Sequence, residues 1–266
     1  MSLKFNTKKL IAMVHVHALP GTPKYNGSVK SIIDKALEES AIYLKAGVDS
    51  IMIENMHDIP YLKRNLGHEI STMMCLIAEK IKSETGLPIG MQILAGANKA
   101  ALAAANSAGI DFIRAEGFVF GHVADEGIFE SDAGEIMRYR KMIGAEDIQV
   151  FTDIKKKHSS HAITDDISVV ETAKAAEFFI SDGVIVTGNA TGEEANLVDI
   201  VNVKKNVNLP VLIGSGITLG NIEKYFNFAD GFIVGSYFKK NSFWANDIDA
   251  ERVIGFMEKF SELRDK

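Results

Sequence analysis

Two glycine-rich turns stand close together late in the sequence. One reads Gly214-Ser215-Gly216-Ile217-Thr218, with Asn221 just beyond; the other reads Gly235-Ser236-Tyr237-Phe238-Lys239. Each follows a short apolar run. Small residues let the main chain approach an anion closely, and a following helix N-terminus offers unpaired N–H groups at a positive dipole end. The pair predicts a phosphate-binding site on Gly214, Ser215, Gly216, Thr218, Asn221, Gly235 and Ser236. Plain tight turns are the structural alternative, and either cluster alone would be weak evidence.

Five residues at or just after the ends of other apolar runs suit acid–base work: His15, Glu54, Arg114, Asp153 and Lys157. Glu54 could act as a general base or hold a substrate hydroxyl; it could equally be a structural partner for Arg114. Arg114 could clamp a carboxylate or a second phosphate, or neutralise Glu54 and Asp153. An aspartate at such a position must be paired or functional, because an unpaired buried charge is costly. A lysine beside apolar walls can have its pKa lowered and serve as nucleophile or acid; a solvated loop is the alternative for Lys157. His15 and His17 alternate onto one face and could ligate a metal, as in amidohydrolase-type sites. Such sites also need histidines after the fifth and sixth runs and an aspartate at the eighth. Here the sixth ends Thr187-Gly188-Asn189 and the eighth Gly235-Ser236, so no metal site is assigned. Thr187 and Asn189 belong to a polar turn, running to Thr191-Gly192, that could bind hydroxyls or extend the anion cradle. A simple loop-to-helix turn is the other reading.

These residues need elements to hold them. Eight short apolar runs read as strands: Leu10–His15, Asp49–Glu54, Ile89–Leu94, Asp111–Ala115, Gln149–Ile154, Gly183–Thr187, Val211–Gly214 and Gly231–Gly235. Helical patterns lie between them, clearest over Lys30–Lys45, which ends at Gly47. Strict alternation, eight times over, predicts a parallel sheet with crossover helices. An open doubly wound sheet is the alternative; eight units in this length favour a closed (β/α)₈ TIM barrel, one domain over residues 1–266. Catalytic groups then belong at the C-terminal strand ends. The long polar loops after strands 1, 2, 4 and 5 are expected to cap that mouth. Met73, Met74, Phe178 and Phe179 read as core or helix packing. Phe243 and Trp244 are expected on the barrel's outside or on a partner subunit.

The 266 residues are 47% hydrophobic and 24% charged, a normal globular mix. Net charge is −6, which argues against bulk nucleic-acid binding and against adhesion to anionic membranes. One cysteine, Cys75, excludes an internal disulfide framework and suits a reducing cytoplasm. No apolar stretch reaches the ~18 residues that span a bilayer, and no signal-peptide core is evident.

The strand-end motifs resemble those of the BtpA/SgcQ family, named after a photosystem I biogenesis protein of cyanobacteria. The matching segments are Val14-His15 with Ala18–Gly21, Glu54-Asn55 with Asp58-Ile-Pro60, and Asp153 with Lys157-His158. They continue through Thr187-Gly188 with Thr191-Gly192, Gly214–Thr218 with Asn221, and Ala229–Gly235 with Lys239. His17 lies outside them. The resemblance implies a barrel similar to phosphate-binding TIM barrels and gives Lys157 its weight over Lys155 and Lys156.

The expectation is an enzyme acting on a small phosphorylated metabolite, a sugar or nucleoside phosphate, through an aldolase, isomerase or lyase step. No Rossmann or Walker fingerprint is present and no cofactor is assigned. Two rivals stay open: a non-enzymatic assembly factor, as the family's name suggests, and a metal-dependent hydrolase using His15, His17 and Asp153. By analogy with similar barrels, a homo-oligomer is expected.

Overall fold

All eight runs form parallel strands in the computed structural model, which describes residues 3–188 and 190–266. They are β1 (Lys9–His15), β2 (Ser50–Glu54), β3 (Ile89–Gln92), β4 (Phe112–Ala115), β5 (Gln149–Ile154), β6 (Gly183–Val186), β7 (Val211–Ile213) and β8 (Gly231–Val234). Each strand pairs with its neighbours in the sequence, and β8 pairs with β1 to close the barrel. Helices α1 (Val29–Ala46), α2 (His68–Thr85), α3 (Asn98–Ala108), α4 (Ala133–Met142), α5 (Val169–Phe178), α6 (Leu197–Asn206), α7 (Ile222–Tyr225) and α8 (Ala250–Arg264) follow the strands in turn. The protein is a single-domain TIM barrel.

Local chemistry sets the element ends. The Ser28 hydroxyl accepts the Ser31 amide at 3.1 Å and starts α1; Gly47, at φ +79°, closes it in the left-handed region. Asp49, Asp111, Asp182 and Asp230 stand just before β2, β4, β6 and β8 rather than opening those strands, as expected for Asp49 and Asp111. Each turns its carboxylate back to the amide of a neighbouring odd strand: Leu10, Ile89, Val150 and Val211, every contact at 2.8 Å. Four aspartate clasps thus secure the closed end of the barrel.

Period-two alternation divides the strands' side chains. Leu10, Ala12 and Val14 of β1 face the helices and join the large outer core. Ile11 and Met13 face inward. There they meet Met52, Phe112, Phe151, Ile185, Leu212 and Ile233, one from each of six other strands. Each large side chain buried this way contributes roughly 1.5–3 kcal/mol. Leu3 and Phe5 plug the bottom, with the Phe5 ring edge-on to Phe151 at 5.7 Å.

Two loops cover part of the mouth, as expected of those after strands 4 and 5. The β4 loop folds into a hairpin, His122–Ala124 with Gly127–Phe129, and the β5 loop adds Ser159–Ser160 as a third strand. Arg64 of the β2 loop reaches over the Phe129 ring and pairs with Asp132, which pins the hairpin.

Met73 and Met74 are buried as expected. Phe178 and Phe179 are not. Helix α5 is short and its inward face is filled by Thr172, Ala173 and Ala176, so Phe178 at its last position and Phe179 and Ile180 just beyond turn outward. Phe178 is 83% exposed and Ile180 65%. Among the described residues no helix is long and apolar enough to cross a membrane.

Candidate active site

The inward parity that packs the barrel also aims the rim. Two residues past Met13, Met52, Phe112, Phe151, Ile185, Leu212 and Ile233 stand His15, Glu54, Arg114, Asp153, Thr187, Gly214 and Gly235. Register sets His15 beside Glu54, and Glu54 beside Gln92 of β3. A cavity of about 680 Å³ opens above this layer. His15, Glu54, Arg114 and Lys157 line it, as do Gly214, Ser215, Gly216, Thr218, Gly235 and Ser236.

Both glycine turns therefore border one space. Not all of their groups are available. The Gly214 amide donates to Val186 and the Thr218 amide to the Asn221 side chain, at 2.9 and 2.8 Å. Among the described residues, the amides of Ser215, Gly216 and Ile217 have no protein acceptor. Neither do those of Gly235, Ser236 and Tyr237. The expected helix N-termini contribute little: α7 is a single turn, and β8 runs into the 3₁₀ turn Ser236–Phe238. The open amides belong to the turns themselves.

Three residues assigned to the anion do not offer it their side chains. Asn221 does not border the cavity; its Nδ2 donates to the Gly216 carbonyl at 2.8 Å and so braces the turn. The Ser215 hydroxyl accepts the Gly188 amide at 2.8 Å and donates to the Glu193 carbonyl at 3.0 Å, tying the β6 and β7 loops together. Thr187 also lies off the cavity; its buried hydroxyl has no partner among the described residues. Thr191 and Gly192 of the same loop border the cavity instead. Asn189 lies outside the described residues.

Gly216 sits at φ +71°, and a Cβ there would stand 2.2 Å from the Glu193 carbonyl oxygen. Backbone conformation and space both require glycine. At Gly235 a Cβ would come within 3.1 Å of His15 Nε2.

The charged groups divide into settled and unsettled. Arg114 and Asp153 form a buried, two-pronged pair, with Nε–Oδ1 at 3.1 Å and Nη2–Oδ2 at 3.0 Å. Asp153 stands behind Arg114 and does not border the main cavity. It holds the guanidinium in place. Lys156 and Glu116 form a second buried pair at 3.1 Å. Burial alone would raise Glu116, but Lys156 and Arg114 outweigh it and hold the carboxyl below its usual range. Glu54 has no such bond among the described residues. Burial raises its pKa, opposed by Arg114 and Lys157. Lys157 likewise has no acceptor, and burial followed by Arg114 lowers its pKa. An acid shifted up and a base shifted down in one cavity are brought closer in proton affinity, which suits them to exchange a proton.

His15 takes a different role from the expected acid or base. Its Nδ1 lies 2.9 Å from the Trp244 carbonyl, so Nδ1 carries the proton and donates. Burial, then the charge of Lys239, lowers its pKa to about 3. At neutral pH it offers an unprotonated Nε2 beside Gly235. His17 lies past the end of β1 with its ring 5.1 Å from His57, whereas His15 meets Trp244. The shared face expected for the two histidines does not persist. Among the described residues, no group of three or more His, Cys, Asp or Glu is arranged to hold a metal.

An outer chamber of about 1170 Å³ adjoins the first and shares Glu54, Met56, Lys157, Thr191 and Ser236 with it. Trp244 stands on its wall, with its ring 4.9 Å from His57. The segment after β8 folds back over the mouth, which corrects the expected outside position of Trp244 and Phe243. Gln92, Tyr61 and the Glu116–Lys156 pair border the same chamber. None of these was singled out from sequence as a site. Gln92 was legible by parity, since it follows Gly90 by two as Glu54 follows Met52. His158 ties the β5 loop to Thr191, at 2.9 Å, and faces solvent.

A family model described as "BtpA family" matches residues 6–262. The chain belongs to the BtpA family. Two relatives illustrate its reach. An uncharacterized mitochondrial protein of Caenorhabditis elegans, F13E9.13, is 48% identical over 260 residues, covering 96% of this chain and 94% of the relative. The photosystem I biogenesis protein BtpA of Synechocystis is 31% identical over 256 residues, covering 95% and 88%. Solved structures similar to this BtpA-family barrel include thiamine phosphate pyrophosphorylase from Pyrococcus furiosus. It has a TM-score of 0.60 and 13% identity, covering 97% of this chain and 98% of that one. Phosphoribosyl anthranilate isomerase from Thermus thermophilus reaches a TM-score of 0.61 at 11% identity, covering 96% and 100%. At these identities the likeness is one of fold.

Proposed function

We propose that this BtpA-family barrel is an enzyme that binds a small phosphate ester and moves a proton on it. One observation carries the reading: open amides from two separate turns, Ser215–Ile217 and Gly235–Tyr237, border a single cavity. Converging main-chain N–H groups make an anion-binding concavity, and this is the usual phosphate position of a TIM barrel. The two similar structures carry phosphate compounds in their names, which agrees with the reading. Glu54 and Lys157 are the proton-transfer pair. Arg114, held by Asp153, stabilises negative charge that develops on the substrate, and His15 Nε2 accepts from a hydroxyl. Thr218 and, from outside the described residues, Asn189 complete the proposed contacts. Aldol cleavage, isomerisation and elimination all suit this set, because each needs an acid, a base and a charge stabiliser.

Titration calorimetry with ribose 5-phosphate and ribose tests the anchor. Only the phosphorylated sugar should bind. Ser236→Asp, which sets a carboxylate among the open amides at a half-exposed position, should weaken it at least ~10-fold, the equivalent of about 1.4 kcal/mol. Equal binding of ribose, or an unchanged Ser236→Asp variant, would count against the anchor.

The assembly-factor reading draws support from the exposed Phe178–Ile180 cluster and from the name of the Synechocystis relative. It leaves unexplained why Glu54, buried, and Lys157, half-buried, have no partner among the described residues. The cluster also supports a homo-oligomer, as apolar surface of this kind is covered in an assembly. Light scattering on the purified chain reads the mass directly, and a monomer would exclude it. The proposed setting is a reducing aqueous compartment: the cytoplasm, or the mitochondrial interior where a relative carries that name.

A further inference from the structure

Gln92 is 2% exposed, borders the outer chamber, and its Oε1 has no hydrogen-bond partner among the described residues. A buried carbonyl oxygen without a donor is costly, and a leucine of similar size would pack there at no such cost. The amide makes sense as a reader of something that enters. Glu126 borders the same chamber, and its Oε2 is also buried and unbonded among the described residues. Among the described residues neither nearby cation reaches these oxygens: Lys156 is committed to Glu116, and Lys157 makes no hydrogen bond to either. An entering group that carries N–H or O–H donors would meet the demand.

The walls narrow the choice. Trp244, Phe243 and Tyr61 border the chamber, and Phe243 is 52% exposed. Aromatic faces of this kind hold flat rings by stacking, whatever the ring's identity. A glutamine amide offers an acceptor and a donor side by side, the match for an amino group next to a ring nitrogen. The inner cavity carries the open amides that would take the phosphate. The outer chamber is room for a second group attached to it.

We propose that the ligand is a phosphate ester whose far end is a flat nitrogen heterocycle bearing an amino group, read by Gln92 and stacked on Trp244. Adenosine 5′-monophosphate has this chemistry. The proposal rests on the phosphate anchor above and adds the identity of the other end.

Calorimetry with inorganic phosphate, ribose 5-phosphate, purine riboside 5′-monophosphate and adenosine 5′-monophosphate separates the two claims. Adenosine 5′-monophosphate should bind at least tenfold more tightly than ribose 5-phosphate, with the purine riboside ester between them. Gln92→Leu should reduce adenosine 5′-monophosphate to the level of the purine riboside ester and leave ribose 5-phosphate unchanged. Trp244→Leu should weaken both ring-bearing esters alike. Should Gln92→Leu not fold, Gln92→Met gives the same reading with a flexible side chain. If both ribose 5-phosphate and adenosine 5′-monophosphate bind with equal affinity, the ring claim fails and the anchor stands. If neither ester binds folded protein, the anchor fails and takes the ring claim with it.

Discussion

Asp153→Asn is expected to cost the fold about 3 kcal/mol, although the change in shape is negligible. Asparagine fills the same space but leaves the Arg114 guanidinium buried without its counter-charge. Breaking one side of a buried pair costs about 3–5 kcal/mol. The lower end applies because Glu54 and Glu116 also act on Arg114. For a chain of this size the loss is roughly 6–12 °C in Tm. Urea denaturation measures it. The double variant Arg114→Met with Asp153→Leu should recover most of the loss, since an apolar pair of similar volume avoids the desolvation of two ions. The double variant should also lose phosphate-ester binding, because Arg114 is gone from the cavity. In Asp153→Asn the Glu54 carboxyl loses a like charge, so its pKa should move back toward the ordinary range. A variant as stable as the parent would show that Arg114 is held by something other than Asp153.

Acid should weaken the fold well before its carboxylates lose their partners. Burial lowers the pKa of His15 to about 3 and of His122 to about 4, with Lys239 and Lys156 the next causes. The folded state therefore keeps both rings neutral, while the unfolded chain protonates them below ~6.5. The unfolded state binds more protons in that window, so stability falls as pH drops from about 6.5 toward 4. By pH 5 each ring contributes a loss of roughly 2 kcal/mol, at 1.36 kcal/mol per pKa unit. Glu54 and Asp153, both raised by burial, act in the opposite sense and offset part of it. His122 stacks flat on Phe129 at 5.0 Å and its Nε2 has no partner among the described residues. His57, lowered to about 4 chiefly by burial, adds a third such ring, so His122→Phe should keep the stack and remove about a third of the pH dependence. Tm recorded from pH 7.5 to 5 measures the slope. Parallel slopes in the two proteins would exclude His122 as a contributor.

Sequence patterning carries the barrel and most of its rim. Each apolar run is long enough to define a strand, and its polar terminus then lands at the mouth by parity. Glu54, Arg114 and His15 were legible for that reason. Gln92 obeys the same parity, but the run reads as Ile89–Leu94 and the strand ends at Gln92, so an uncharged amide two residues short of the expected end gives no signal. Trp244 depends on how a loop folds back, which neither period nor composition encodes. Asn221 shows a further limit: an asparagine near a glycine turn can bind an anion or brace the turn, and only its hydrogen bonds distinguish the two. Phe178 and Phe179 have the composition of core, but their helix ends too early to turn them inward.

The four aspartates beneath the barrel imply a grain in its construction. Every clasp joins an even strand to the odd strand just before it in the chain: β2 to β1, β4 to β3, β6 to β5 and β8 to β7. Among the described residues, the Asp49 clasp does not link β2 to β3, nor the Asp182 clasp β6 to β7. The chain is thus assembled from four self-fastened quarters, and a break placed between α4 and β5 would divide it into halves that each retain their own fastenings whole.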